Sequence, residues 1–507
     1  MSSQPLGATR SSDSIKQKNS KDQENDKNFL YDEEANTSIQ TPEDSKILDK
    51  IYRKLDIRII PALWCLYFLT SFGSSAYGNS LTMNAEAGHS TKLALNLSAQ
   101  DTSTASALYY VAYIIFDVPM NLAMTKLPPQ AWLARIVISL GLVYACFAAI
   151  ENSGGLIACR FLTGICNAGT WPGLTYYVSL WYPAKRTTRR IGFYFTAAQI
   201  SASAAGLVAA GFQKMDMMRG LYGWQWMFLV YGCLTVFVGI TLIWWLPDRP
   251  VELKKNEKKS IFKHFLPKNK KPLTLEQRVL HLKDMQERYS KPLEWGLKDI
   301  VTIICDVEIW PLIIMYFGVV GTGFGLAVFG TTIIKATNPS LSSINVSLLY
   351  APIWLFDLSA ILLITPLSDK FKNYRPFIFS CSTSVIMCGL FVMTYSPDKW
   401  SKYGGLLICG FGLGPTVPTC MSMAADIFGR KYGDVGTAVS AALVSGLGNL
   451  GSVVGTYALY SGWPEDIPRL FQYSNMILVL ICGCSIIAAA VSAGLTRYLE
   501  NKKKSSS

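Results

Sequence analysis

The stretch "RFLTGICNAGTWPG", residues 160–173, places one arginine inside an otherwise apolar segment, 155–181. An ionisable side chain at membrane depth is costly, so it faces a partner or an aqueous cavity. A guanidinium offers two parallel N–H donors, the geometry that holds a carboxylate, sulfonate or phosphate. Residues seven apart on a helix differ by about 20° and residues four apart by about 40°. The spacing therefore predicts one face carrying Arg160, Gly164, Asn167 and Trp171: a cation, a gap, an amide and a large ring. Two roles suit Arg160: holding an anionic solute, or pairing with an acidic residue to fix helix packing.

Other polar residues in apolar surroundings are few. Asp117 shares a stripe with Tyr110, Tyr113 and Asn121 on a second segment. Asp357, in "APIWLFDLSAILLITP", shares a face with Tyr350 and Trp354 near the middle of an eighth segment. A carboxyl at that depth is a candidate proton carrier, and Asp117 a candidate for proton carriage or for clamping helix ends. Thr196, Gln199 and Ser203 form a third stripe, whose amide suits a bond to solute or to a neighbouring helix. Glycine-rich stretches at 318–330, 409–420 and 445–455 predict close packing or a cavity wall. No HExxH, GxSxG or P-loop lysine motif occurs, and the three histidines fall in loops, so no enzyme, cofactor or metal centre is expected. Eleven of the twelve cysteines lie within apolar blocks and the twelfth, Cys305, lies just before one, which suits packing rather than disulfide or metal chemistry.

The elements that must position these residues follow from composition. Half of the 507 residues are hydrophobic and only 16% charged, against about 25% charged in an ordinary soluble domain. The apolar residues fall in blocks of roughly 20, the length that crosses the hydrocarbon core as a helix. Twelve such blocks are read, at 57–80, 102–125, 131–150, 155–181, 190–212, 223–246, 308–334, 343–367, 376–395, 403–427, 434–460 and 473–496. The expected organisation is a disordered tail over 1–56, a six-helix half over 57–246, a polar central loop over 247–307, a second half over 308–496 and a short tail over 497–507. Within the loop, "LTLEQRVLHLKDMQERYS" suits a short amphipathic helix. Lysine and arginine crowd the even-to-odd loops and both tails, which places both termini in the cytoplasm by the positive-inside rule. The net charge of +13 is then a topology signal scattered through loops, not a nucleic-acid footprint. The outward loop 81–101 carries a glycosylation sequon at Asn96.

These pieces together resemble the major facilitator superfamily, and within it the anion:cation symporters and the fungal allantoate-permease group. The resemblance runs from about Arg53 to Tyr498. It is carried by "KLDIRIIPALWCLYFL", "YYVAYIIFDVPMNL", "RFLTGICNAGTWPG", "YGWQWMFLVYG" and "WWLPDRP", with "PLSDKFKNYRP" similar to the family's cytoplasmic gating motif. The resemblance implies an all-α integral membrane fold of twelve transmembrane helices in two six-helix halves. It further implies uptake of small anions such as nicotinate, pantothenate, biotin, allantoate, small peptides or sulfonates, usually coupled to protons. Arg160 matches the family's fourth-helix arginine, Asp117 its second-helix acidic position, and Asp369 lies in the gating motif. Two departures stand out. Gly73 and Ser74 occupy the place of a first-helix Asp-Arg pair, and Asn167 the place of a glutamate.

The expected function is a secondary transporter of a small organic anion or zwitterion, working by alternating access and coupled to protons. The expected substrate-binding residues are Arg160, Asn167, Gln199, Tyr113 and Trp171, with Asp357, Asp117 and Asp369 in proton coupling or gating. The alternative is a nutrient receptor or uniporter of the same fold with weak or no coupling. The protein is expected to be a monomer, in the plasma membrane or alternatively the endoplasmic reticulum, with the lipid bilayer and a small solute as its partners and no nucleic acid.

Overall fold

The computed structural model describes residues 42–250, 272–285, 297–461, 463–466 and 468–506, and all regular structure among them is helical. They divide into two compact units. The first comprises the chain up to Leu55 together with Lys271–Pro292, and the second comprises Asp56–Lys270 with Leu293–Ser507.

In the first unit, the start of helix α1 (Pro42–Ser80) meets the amphipathic helix expected in the central loop, α8 (Leu275–Asp284). The Tyr52 hydroxyl donates to the Asp284 carboxylate, and its ring meets the His281 ring edge-on at 5.6 Å. Leu48, Ile51 and Leu55 of α1 are buried, as are His281 in α8 and Leu273 and Met285 at its two ends. Thr274 and Gln277 close a reciprocal capping box at the start of α8. Two boundaries differ from expectation. The first helix begins at Pro42, where a missing backbone N–H costs nothing, rather than at 57. A further helix, α9 (Leu297–Ile304), precedes the second half.

The second unit holds the two six-helix halves. The N-terminal half consists of α1, α2 (Ala99–Lys126), α3 (Pro129–Phe147), α4 (Ser153–Asn167), α5 (Thr170–Trp181), α6 (Ala184–Phe212) and α7 (Gly223–Trp245). The C-terminal half consists of α10 (Ile309–Thr337), α11 (Ser343–Lys370), α12 (Arg375–Tyr395), α13 (Lys399–Leu413), α14 (Thr416–Gly448) and α15 (Gln472–Ser506). Ten helical stretches among the described residues are long and apolar enough to cross a membrane. The other two crossings are α2, a helix of 28 residues, and the broken pair α4–α5, whose 15 and 12 residues are each too short to cross alone.

Helix α14 contains a chain reversal. A Cβ on Gly429 would lie 2.8 Å from Thr437 Oγ1, and one on Gly436 would collide with the Phe428 carbonyl oxygen. Residues eight apart in a straight helix are separated by about 12 Å, so the chain folds back there. Arg430 and Lys431, expected in a loop, occupy this tight helical corner. Lys431 is ion-paired with Asp306 at 2.8 Å and with Glu308. The eleventh crossing then continues through Leu450–Val453 into a π-helical turn, Val454–Ser461.

The halves touch along α6 and α11 and between α2 and the π-helical turn. At the end carrying loop 81–101 they are stitched together. Gln213 donates to Ser347 Oγ at 3.1 Å, Thr331 donates to the Gly78 carbonyl at 3.0 Å, and Lys335 pairs with Glu86 at 3.2 Å. Backbone approach matters more here than the ion pair. A Cβ on Gly206 would come within 2.5 Å of the Ser347 carbonyl oxygen, which cannot yield. The Lys335–Glu86 pair is exposed, and such pairs contribute at most about 1 kcal/mol. Gly206→Val is therefore expected to cut solute uptake by about tenfold or more, and Glu86→Ala to change it by no more than about twofold. Uptake by cells expressing each variant at matched levels checks the pair, and a larger loss from Glu86→Ala would reverse the ranking.

Candidate substrate cavity

The fourth crossing is not one helix. Its α4 ends at Asn167, Ala168 is extended (ψ 139°), Gly169 is left-handed (φ 79°) and α5 begins at Thr170. Left-handed φ favours glycine, and a Cβ at Gly169 would also lie 2.9 Å from the Met120 Cβ. The break lies beyond Asn167, so Arg160, Gly164 and Asn167 keep one face of α4, where all three meet Tyr109, and only Trp171 falls outside that helical phase. Asn167 and Trp171 line a central cavity of about 210 Å³, whereas Arg160 does not reach its wall.

The cavity lies between the halves. Tyr67 and Ser74 on α1, Tyr109 and Tyr113 on α2, and Gln199 on α6 face it from the N-terminal half. Tyr316, Phe324, Trp354 and Asp357 face it from the C-terminal half, joined by Asn449 at the end of α14. Four of the five expected substrate contacts, Asn167, Gln199, Tyr113 and Trp171, are therefore brought together on one wall system, along with Asp357. The wall is mostly apolar, aromatic rings and aliphatic residues together, with amides, hydroxyls and one carboxyl among them, the usual makeup of a small-molecule pocket. The sequence reading did not single out Tyr67, Tyr109, Tyr316 or Asn449 as contacts. Tyr67 sits in the quoted first-helix motif and Asn449 in the glycine-rich stretch 445–455, but neither type is rare enough in a membrane chain to be distinguished without its neighbours.

Arg160 is completely buried, and no hydrogen-bond acceptor reaches any of its three guanidinium nitrogens among the described residues. Its guanidinium carbon lies 4.1 Å from the centre of the Tyr77 ring and 4.5 Å from that of Tyr109. Cation–π attraction of this kind returns about 0.5–2 kcal/mol per ring, less than the several kcal/mol that desolvating an ion costs. Asn167 donates from Nδ2 to the Tyr109 hydroxyl at 2.7 Å, while its own Oδ1 accepts from Thr170 Oγ1 at 3.0 Å.

The two intramembrane carboxyls each abut a helix break. Asp117 accepts the Gly169 backbone N–H on Oδ1 at 2.9 Å, at the start of α5, while its Oδ2 is buried without a partner. It lies off the cavity wall. Asp357 is 3% exposed, its Oδ1 is without a partner, and it lies beside Gln199. A Cβ on Gly414, between α13 and α14, would be 2.7 Å from that same oxygen. Asp369 falls on the last turn of α11, and its side chain lies outside the described residues.

The two departures from the family pattern also acquire a physical setting. A Cβ on Gly73 would collide with the Tyr144 phenol, so no carboxylate fits there without displacing that ring. Ser74 faces the cavity, where an arginine would fill space that is open in this chain.

Comparison with known proteins agrees with this architecture. The Major Facilitator Superfamily model matches residues 63–456. Vitamin H transporter 1 of Schizosaccharomyces pombe is 45% identical over 480 residues, covering 91% of this chain and 83% of that protein. A putative tartrate transporter of Agrobacterium vitis is 26% identical over 454 residues, covering 89% and 96%. Among solved structures, a bacterial homolog of the human lysosomal transporter Spinster, in an inward-facing and unoccupied conformation, has a TM-score of 0.59 at 13% identity, covering 90% and 98%. A paired six-helix body with a central cavity, matched over most of its length by the family model, is a membrane transporter of small solutes and not an enzyme: the chain belongs to the Major Facilitator Superfamily.

Proposed function

We propose that the protein carries a small organic monocarboxylate of vitamin type across the membrane, coupled to protons, by alternating access of the central cavity. The observation that carries this reading is the cavity itself: aromatic and amide walls from both halves, a single unpaired arginine behind one wall, and a single carboxyl, Asp357, on the opposite half. One fixed cation suits one carboxylate better than a dianion. The amides of Asn167, Gln199 and Asn449 suit a polar ring such as a ureido group, and the tyrosines and tryptophans suit its flat or aliphatic remainder. Biotin (vitamin H), the solute in the name of the S. pombe relative, has this pattern of one carboxylate, an aliphatic chain and a ureido ring.

In this reading the stitched end with loop 81–101 faces outward, both termini are cytoplasmic, and the membrane is the plasma membrane. Arg160 and the cavity amides bind the solute, Asp357 exchanges the proton, and Asp117 and Asp369 act in gating. Purified protein in proteoliposomes, under an inward proton gradient, is expected to accumulate radiolabelled biotin. Unlabelled biotin is expected to compete and biotin methyl ester is not. Binding without flux would instead favour a receptor. Absence of both for biotin and for a panel of other monocarboxylates would remove the proposal.

A further inference from the structure

Two rings cover the Arg160 guanidinium, and one of them lines the cavity. Of the two rings over its guanidinium, Tyr77 is fully buried and lines no part of the cavity, while Tyr109 does line it. The Tyr109 backbone cannot move away, because Gly164 lets α4 press against its carbonyl oxygen and a Cβ there would also lie 2.9 Å from Ala112 Cβ. Its side chain is held by one hydrogen bond, from Asn167 Nδ2. Thr170 Oγ1 lies within hydrogen-bond distance of both the Asn167 backbone carbonyl, at 2.6 Å, and its Oδ1, at 3.0 Å, and shares its one proton between them.

We infer that Tyr109 is a shutter over a masked anion site at Arg160, latched by Asn167, and that it opens only for a solute bearing a carboxylate. This inference rests on the reading of the cavity as the solute path. Rotating the Tyr109 ring into the cavity breaks one hydrogen bond and one ring–cation contact, and shifts its edge-on contact with Tyr110. An entering carboxylate replaces both with two charge-assisted bonds to the bare guanidinium. A neutral ester or amide makes no such replacement, so the shutter stays closed against it. Tyr109 and Asn167 are in this sense specificity-determining residues. The asparagine that stands where relatives carry a glutamate acquires a role of its own: it leaves Arg160 without a permanent counter-ion.

Arginine labelling by phenylglyoxal, read by peptide mass spectrometry on the purified full chain, tests this without reference to transport. Arg219 is exposed and serves as the internal reference. Arg160 in the unmodified protein is expected to stay unlabelled while Arg219 reacts. In Asn167→Ala, Arg160 labelling relative to Arg219 is expected to rise by about tenfold, the population change that follows loss of one buried hydrogen bond. Tyr109→Ala is expected to label Arg160 fully. Equal Arg160 labelling in the unmodified protein and Asn167→Ala would overturn the shutter, as would continued protection in a Tyr109→Ala variant of unchanged helical circular dichroism. Added biotin, but not biotin methyl ester, is expected to protect Arg160 in Asn167→Ala. If labelling follows the shutter but no monocarboxylate protects, the shutter stands and the proposed solute class fails. If biotin is transported but labelling does not respond, the reverse holds.

Discussion

Arg160→Met is expected to raise the melting temperature of the purified protein and to reduce solute uptake to background. The two effects have opposite signs because the same feature causes both. The guanidinium is fully buried with no acceptor on any nitrogen, and its compensation is limited to the Tyr77 and Tyr109 rings. Replacing a buried ionic group by an apolar side chain of similar length is commonly neutral or stabilising, by about 1–4 kcal/mol. Function runs the other way. A charge-assisted bond to a carboxylate contributes about 1.5–3 kcal/mol, and losing a bidentate pair of them costs at least about a hundredfold in affinity. Arg160→Lys keeps the charge but not the fork, so its uptake should fall between the two. Thermal melting in detergent and uptake in proteoliposomes check both signs. A marked drop in melting temperature would show that Arg160 has a structural partner in another state, and retained uptake would remove it from the solute path.

Asp357→Asn is expected to abolish proton-driven accumulation while preserving exchange of solute across the membrane. Asp357 lines the cavity, is almost wholly buried, and has one oxygen with no partner. Asparagine keeps its shape and its neighbourhood with Gln199 but cannot gain or lose a proton in the cycle. Asp117 makes the informative contrast. Its Oδ1 accepts the Gly169 N–H that organises the break in the fourth crossing, and the amide of Asn retains an acceptor at that atom. Asp117→Asn is therefore expected to fold and to keep accumulating solute, whereas Asp117→Leu loses the acceptor and destabilises the break by about 1–3 kcal/mol. Counterflow and pH-jump uptake in proteoliposomes separate exchange from accumulation. If Asp117→Asn lost accumulation and Asp357→Asn kept it, the coupling role would move to the N-terminal half.

Much of the fold is legible along the chain because the bilayer imposes a length on every crossing. Blocks of about 20 apolar residues mark the helices, and the fourth block, read as one crossing, is divided at Gly169 into α4 and α5. The amphipathic pattern in the central loop marks α8 for the same kind of reason, since its apolar residues repeat at helical spacing. The run through Arg430 and Lys431 was less legible. Basic residues there read as a loop, yet the backbone stays helical around the reversal because Gly429 and Gly436 admit the close approach.

The sequence by itself determined the class of environment, the number of crossings, and the short list of residues that need an explanation: Arg160, Asp117, Asp357 and the stripe containing Gln199. Periodicity and desolvation cost act locally, so they can be read without knowing the fold. Only the tertiary structure decided which of these residues share a space. Asn167 stays in phase with Arg160 on α4 and both meet Tyr109, but that ring and Tyr77 close over the arginine and leave Asn167 on the cavity wall, while the left-handed turn at Gly169 re-aims Trp171. Helical phase is lost wherever one residue leaves the αR region, and the rings that cover a buried charge come from other helices, at sequence separations no local pattern encodes.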